Sequence, residues 1–497
     1  MKKYLLFLIS ICVASCSDYL DVKPVSQIDK NALFQTEEGF YEALNGVYSR
    51  AIGNDLYGEE LTFGFLDVLA QNYSVFDIAG SKYPYQQTAN YNYTEKNFID
   101  RKNRVWEGLY NAIGNCNSLL ENLEIKGKIL SPDVYPIVKG EALALRAYFH
   151  LDIIRMFAPS YKSNPTAPAV PYVTRFSNLA APQLTVAAAL DSVIADLTSA
   201  RTLLRGIDPI AKPSYKVGYT TDGDDADTNP DDGSNEEQGS LFLQNRRHRM
   251  NYYAVCGTLA RAHLCRNNKS EALAFAKEVI ESNKFPAVKR EDFGNVEEEK
   301  QDLILYPELV FAWAIPTQVD ELRDRFERGN SSLNVRLDPG NAIYETGSVG
   351  AEDLRIKEWF KIDNSTTARL ELRKYHRENT NKHPLMAPAI RLSEMYYIAS
   401  ECSYPINQND AWSYFNKARF NRGIAGAYEI WSGDEQKLLT ELLKEARKEF
   451  YGEGQIFYMY KRLNKNIKGL DGSETPASNK VFVLPMPDDE IRLGQRD

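Results

Sequence analysis

The chain has 497 residues, 43% of them hydrophobic and 26% charged, with 59 Lys and Arg against 68 Asp and Glu and a net charge of −9. That supplies a real core and length for two or three ordinary domains or one helical array. The acidic balance argues against nucleic acid, whose binding rests on neutralising phosphates with Lys and Arg.

The first residues read as an export signal. Lys2 and Lys3 precede an apolar run from Tyr4 to Val13, and Val13-Ala14-Ser15 leads into Cys16. Small residues just before a cysteine resemble a bacterial lipobox, so residues 1–15 are expected to be removed and Cys16 to carry the lipid. The apolar run is far shorter than the ~20 residues that span a bilayer. One acyl chain holds a membrane only marginally, so durable anchoring takes several. Without Lys2 and Lys3 the chain keeps 57 basic residues against 68 acidic ones.

Past Cys16, four cysteines remain: Cys116, Cys256, Cys265 and Cys402. They read as small core hydrophobes. Cys256 and Cys265 fall on one predicted helix, ~13 Å apart along its axis, too far for a disulfide. No CxxC occurs and the five histidines do not cluster with acids, so neither a metal nor a cofactor is expected.

Apolar residues at three- and four-residue spacing predict helices over 37–52, 98–123 and 135–157, and Thr185 caps a further one to about Leu204. Residues 158–182 are a Pro-rich connection with 169–173 extended. Two helix–turn–helix units follow. Tyr252–Arg266 pairs with Ser270–Glu281, and Ala389–Ser403 with Asp410–Asn421. Aligned, they place Ala260 with Ala399 and Ala272 with Ala411, and small residues at those positions let helices approach closely, as in tetratricopeptide repeats. Between them, 309–315 reads as a buried strand and 317–350 as loop, with 370–376 a second extended piece. A last helix is expected over 436–463, and 484–487 is extended. The fold class is therefore mainly α, with helical hairpins over about 36–204, 250–283 and 389–463. A smaller irregular part with short strands covers about 284–388 and 464–497.

Thirty Tyr against five Trp is the strongest compositional signal. The segment 71–94 holds Tyr73, Phe76, Tyr83, Tyr85, Tyr91 and Tyr93, interleaved with Asn72, Gln86, Gln87, Asn90 and Asn92. Sugars stack apolar C–H faces on rings and pair their hydroxyls with amides, so this composition suits a glycan platform. Asn72, Tyr73, Tyr83, Tyr85, Tyr91 and Tyr93 are the expected ligand contacts. The acidic stretch 221–237 reads as a solvated insert, because Pro230 stands where a calcium loop requires glycine. Arg246-Arg247-His248-Arg249 reads as a surface run able to pair with that insert. No Gly-x-Ser-x-Gly elbow, P-loop or dinucleotide fingerprint is present, and no pair of carboxylates stands out for glycoside hydrolysis. No catalytic residue is assigned.

Several strings, in order behind the lipobox, resemble the SusD/RagB lipoproteins of the Bacteroidetes. They are Cys16-Ser17-Asp18-Tyr19-Leu20-Asp21, the segment from Glu38 to Tyr48, Glu141-Ala142-Leu143-Ala144-Leu145-Arg146-Ala147-Tyr148, the segment from Arg391 to Glu401, the segment from Arg447 to Gln455, and Leu484-Pro485-Met486-Pro487. The resemblance implies a tetratricopeptide-like scaffold carrying ligand-binding loops. It also implies a non-catalytic, lipid-anchored receptor at the outside of the outer membrane, passing oligosaccharide or polysaccharide to a SusC-like TonB-dependent transporter. A RagB-like peptide binder with the same transporter is the alternative, and a surface glycosidase a distant one. The resemblance places further binding loops after the central helical pair, which adds Trp313, Tyr344 and Trp359 as candidate contacts, and it marks Asp353-Leu354-Arg355 as a structural ion pair.

Overall fold

The computed structural model describes residues 30–75, 84–177, 179–219, 234–294, 297–315, 319–326, 333–364, 368–377, 381, 383–426 and 434–496. The signal segment, Cys16 and most of the acidic insert lie outside them.

Helices build the scaffold. They are α1 (Glu37–Ala51), α2 (Phe65–Leu69), α3 (Gln86–Ala89), α4 (Lys96–Lys126), α5 (Tyr135–Phe157), α6 (Val186–Leu204), α7 (Tyr252–Cys265) and α8 (Lys269–Glu281). After the strand-bearing part come α12 (Leu392–Ser403), α13 (Gln408–Phe420), α14 (Glu435–Glu449) and α15 (Ile456–Leu463). Side-chain caps fix several starts. Thr36 accepts from Gly39 N at 3.2 Å, Thr185 from Ala188 N at 3.2 Å and Asn251 from Ala254 N at 3.0 Å, each satisfying a helix N–H that has no intrahelical acceptor.

The helices pack in succession: α1 on α4, α4 on α5, α5 on α6, α6 on α7, α7 on α8, α8 on α12 and α12 on α13. Ala260, Ala272, Ala399 and Ala411 are all buried, where short side chains allow the close approach that helical hairpins need. Helix α5 is buried on nearly every face from Ile137 to Phe157, as expected of a central helix.

The irregular part contains α9 (Val319–Phe326), α10 (Leu337–Tyr344), α11 (Leu354–Glu358) and short strands. Strands β1 (Pro168–Pro171) and β2 (Gln183–Thr185) form one antiparallel pair. The next, β3 (Leu309–Ala314), pairs antiparallel with β7 (Met386–Arg391), and β4 (Asn334–Arg336), β6 (Arg369–Leu372) and β5 (Phe360–Asp363) form a three-stranded sheet in the order β4-β6-β5.

Three expectations need correction. The segment 317–350 is not plain loop, because it holds α9, β4 and α10. Residues 389–391 extend β7 rather than opening α12. The single final helix is two, α14 and α15, broken where Gly452 (φ +77°) and Gly454 (φ +68°) take left-handed backbone conformations, which glycine adopts without penalty.

Candidate functional site

The two segments singled out as ligand loops lie side by side. Ser74 N donates to Asn334 O at 2.8 Å and Arg336 N donates to Ser74 Oγ at 3.1 Å, so the chain after α2 runs along β4. Beneath them, Tyr85 Oη donates to Glu60 at 2.9 Å and to Glu59 at 3.2 Å. Arg101 Nε donates to Glu60 Oε1 at 2.6 Å, and its guanidinium sits 4.2 Å above the Tyr85 ring. Arg325 of α9 pairs with Glu59. The floor of this region is therefore a buried cluster of two carboxylates and two guanidiniums, which ties α3, α4 and α9 together.

Most of the expected contacts belong to that floor or to the core. Asn72 is fully buried: it donates to Asp67 at 3.1 Å, accepts from Arg447 Nε at 3.0 Å, and its carbonyl accepts from Tyr451 Oη at 2.5 Å. Tyr73 is buried edge-on against Tyr451, with centroids 5.5 Å apart. Tyr85 is 1% exposed. Trp313 is 1% exposed and stacks on Tyr57 at 4.5 Å, in a ring cluster with Phe149 and Phe311. Tyr344 is buried, its Oη donating to Lys448 O at 3.0 Å. Trp359 is fully buried under the Lys374 ammonium, 3.7 Å from its ring. A saccharide cannot reach these rings in this conformation. They pack inward because each buries a large apolar area, and the Tyr344 hydroxyl also finds a backbone carbonyl.

Tyr91 and Tyr93 are half-buried. Tyr91 Oη donates to Leu69 O at 2.9 Å, and Tyr93 Oη to Val481 O at 2.5 Å while its ring stacks on Phe98 at 4.5 Å. Tyr83, like Phe76, lies outside the described residues. The surface that remains is an amide patch. Asn92 donates to Gln87 at 3.0 Å and accepts from Thr94 at 2.9 Å, with Asn90 and Asn92 exposed. Donors and acceptors on this patch, next in sequence to the buried ionic cluster that Tyr85 joins, can pair with hydroxyl groups.

Two residues of the basic run read as surface are interior, while His248 and Arg249 are half-buried. Arg246 and Arg247 are fully buried. Arg246 donates to Asp208 at 2.9 Å and to Glu141 at 2.7 Å, and Arg247 to Glu236 at 2.9 Å. Glu236, read with the solvated insert, is thus a buried partner. Burial alone would raise the Glu141 carboxyl, but Arg249 and Arg246 hold it below its ordinary value. Asp353 and Arg355 form a fully buried ion pair at 2.7 Å.

Sequence reasoning missed a large buried polar assembly. Glu449 of α14 accepts from Arg422 at 2.6 and 2.9 Å and from Arg355 at 3.1 Å, and it pairs with Arg391 at 2.8 Å. Desolvation pushes its carboxyl up, yet Arg422, Arg391 and Arg355 hold it well below the usual range. Asp67 meanwhile accepts from Gly452 N at 2.5 Å and Gly454 N at 3.0 Å. The strings 391–401 and 447–455 were the available signal, since charged residues recurring inside apolar helices point to buried pairs. Among the described residues, no three His, Cys, Asp or Glu side chains gather as a metal site, and no helix is long and apolar enough to cross a membrane.

Two family models match the chain: one described as "Starch-binding associating with outer membrane" over residues 18–219, and one described as "SusD family" over 361–492. No curated protein matches. Among solved structures, the chain is similar to a SusD superfamily protein from Bacteroides thetaiotaomicron, with 21% identity, TM-score 0.71 and coverage of 93% of this chain and 98% of that one. It is similar to a SusD-like carbohydrate binding protein from Bacteroides vulgatus at 18% identity and TM-score 0.70, covering 93% and 97%. A SusD superfamily protein from Bacteroides fragilis follows at 17% identity and TM-score 0.65, covering 93% and 99%.

Proposed function

The chain belongs to the SusD/RagB family, and on that premise we propose that it captures oligosaccharide or polysaccharide at the cell surface and delivers it to a SusC-like TonB-dependent transporter. Residues 1–15 are cleaved, Cys16 carries the acyl groups that hold the protein on the outer membrane, and 16–497 act as one binding protein without catalysis.

The observation that carries this reading is the pair of family matches, which take in both the N-terminal helices and the C-terminal repeat region. The carbohydrate-binding relative from Bacteroides vulgatus supports a glycan as ligand. We assign the contact surface to the amides Gln87, Asn90 and Asn92, with Tyr91 and Tyr93 at its edge and Tyr83 beside it in sequence. The buried ionic cluster that Tyr85 joins at the start of α3 supports a preformed platform, which limits the ordering penalty on binding.

Affinity electrophoresis against plant and host polysaccharides tests the reading, with reducing-sugar release measured in parallel. Retardation by at least one polysaccharide without sugar release is the expected result. Binding to peptide mixtures and to no glycan would instead select a RagB-like peptide receptor, and sugar release a glycosidase.

A further inference from the structure

A cavity elsewhere in the scaffold shares no residue with the amide patch. It opens between the end of α5, the start of α6, and helices α7, α12, α14 and α15, with about 110 Å³ of internal space. Its walls are largely apolar, with Leu190, Leu264, Ile398 and Met459 among them. Apolar walls with a few convergent polar groups are typical of small-molecule sites.

Four cations line this cavity, and three are answered by carboxylates. Arg155 bonds Asp152 at 3.1 Å, Arg261 bonds Glu394 at 2.7 Å and Arg462 bonds Glu401 at 2.7 Å. Lys461 differs. Its ammonium donates to two backbone carbonyls, Arg155 O at 2.6 Å and Met156 O at 3.4 Å, and no described carboxylate pairs with it. An ammonium has three protons to donate, so one is left over. One helical turn away on α15, Tyr458 Oη is buried with no hydrogen-bond partner among the described residues. Positions i and i+3 share a helix face, and both residues line the cavity. Burial draws the Lys461 ammonium down to about 7, and the protein alone therefore holds its charge poorly.

We propose that this cavity is a second binding site, for a small monocarboxylate with an apolar body, its carboxylate taken by Lys461 and Tyr458 and its body by the Leu190, Leu264, Ile398 and Met459 wall. A single surplus positive charge selects a monoanion over a phosphate dianion, because a second negative charge would stay uncompensated in an apolar site. The same walls exclude sugars, whose hydroxyls would lose water without replacement.

Titration calorimetry of the purified full chain with sodium octanoate, and with octanol as its neutral twin, tests the site. Octanoate is expected to bind about tenfold or more tighter than octanol, a factor of ten being 1.4 kcal/mol. Lys461→Met should erase that preference, Tyr458→Phe should weaken octanoate alone, and Leu190→Phe, which fills the cavity, should abolish both without lowering the melting temperature. Equal binding of acid and alcohol, binding of neither, or an octanoate preference that survives Lys461→Met would overturn the proposal. If Lys461→Met fails to fold, an octanoate affinity unaltered by both Tyr458→Phe and Leu190→Phe overturns it equally.

Discussion

The neighbourhood of Glu449 and the patch around Asn92 are both dense in polar side chains, yet they do opposite work. Around Glu449, buried guanidiniums and carboxylates answer one another from α11, the end of β7, α14 and the turn after α13. Around Asn92, amides bond near neighbours on the surface and leave capacity for something else. The recurring strings that resemble the family are architectural, and the proposed ligand surface is built from residues of little regularity. A buried network of this kind locks a geometry, since breaking one partner strands the others.

The largest expected effect follows from that contrast. Glu449→Ala leaves three buried arginines without their shared carboxylate and should lower stability by about 3–5 kcal/mol, read from urea unfolding. Next, Gly454→Ala should cost about 1–3 kcal/mol, because its left-handed φ is joined by a Cβ that would lie 2.5 Å from Leu61 O. Tyr85→Phe, which removes the hydroxyl that bridges Glu59 and Glu60, should cost about 1 kcal/mol while leaving glycan retardation in place.

A pH dependence sharpens the comparison in another part of the core. The Lys461 ammonium titrates at about 7 in the folded chain against 10.5 when free of burial. Between those values the unfolded chain binds more protons, so this group's contribution to stability is full above pH 10.5 and is lost as pH falls through about 7. The urea midpoint of Lys461→Met relative to the parent should therefore rise steadily from pH 10 towards pH 7; a difference independent of pH would contradict the assignment. The smallest effect on stability belongs to the patch itself, where Asn90→Ala and Asn92→Ala should each stay within about 0.5 kcal/mol.

The sequence disclosed the scaffold well because amphipathic spacing is local. Tyr135–Phe157 and Val186–Leu204 with its Thr185 cap agree with the structure to the residue or nearly so. The break between α14 and α15 was also written locally, in Gly452 and Gly454, but a strong apolar period on both sides masked it. The site was far less legible. Whether a tyrosine faces in or out depends on acceptors remote in sequence, such as Val481 O for Tyr93 and Lys448 O for Tyr344. Arg246 was misread for the same reason, since Glu141 and Asp208 lie 105 and 38 residues away. Composition counted the rings of 71–94 correctly and could not say which way they point.

On the proposed reading, ligand meets the amide patch and not the buried rings. Affinity electrophoresis on a retarding polysaccharide should compare Gln87→Ala/Asn90→Ala/Asn92→Ala with Trp359→Phe, each checked for an unchanged fold. The triple variant is expected to lose about tenfold or more in affinity, equivalent to 1.4 kcal/mol, while Trp359→Phe binds like the parent. A triple variant that binds normally beside a Trp359→Phe variant that does not would contradict it.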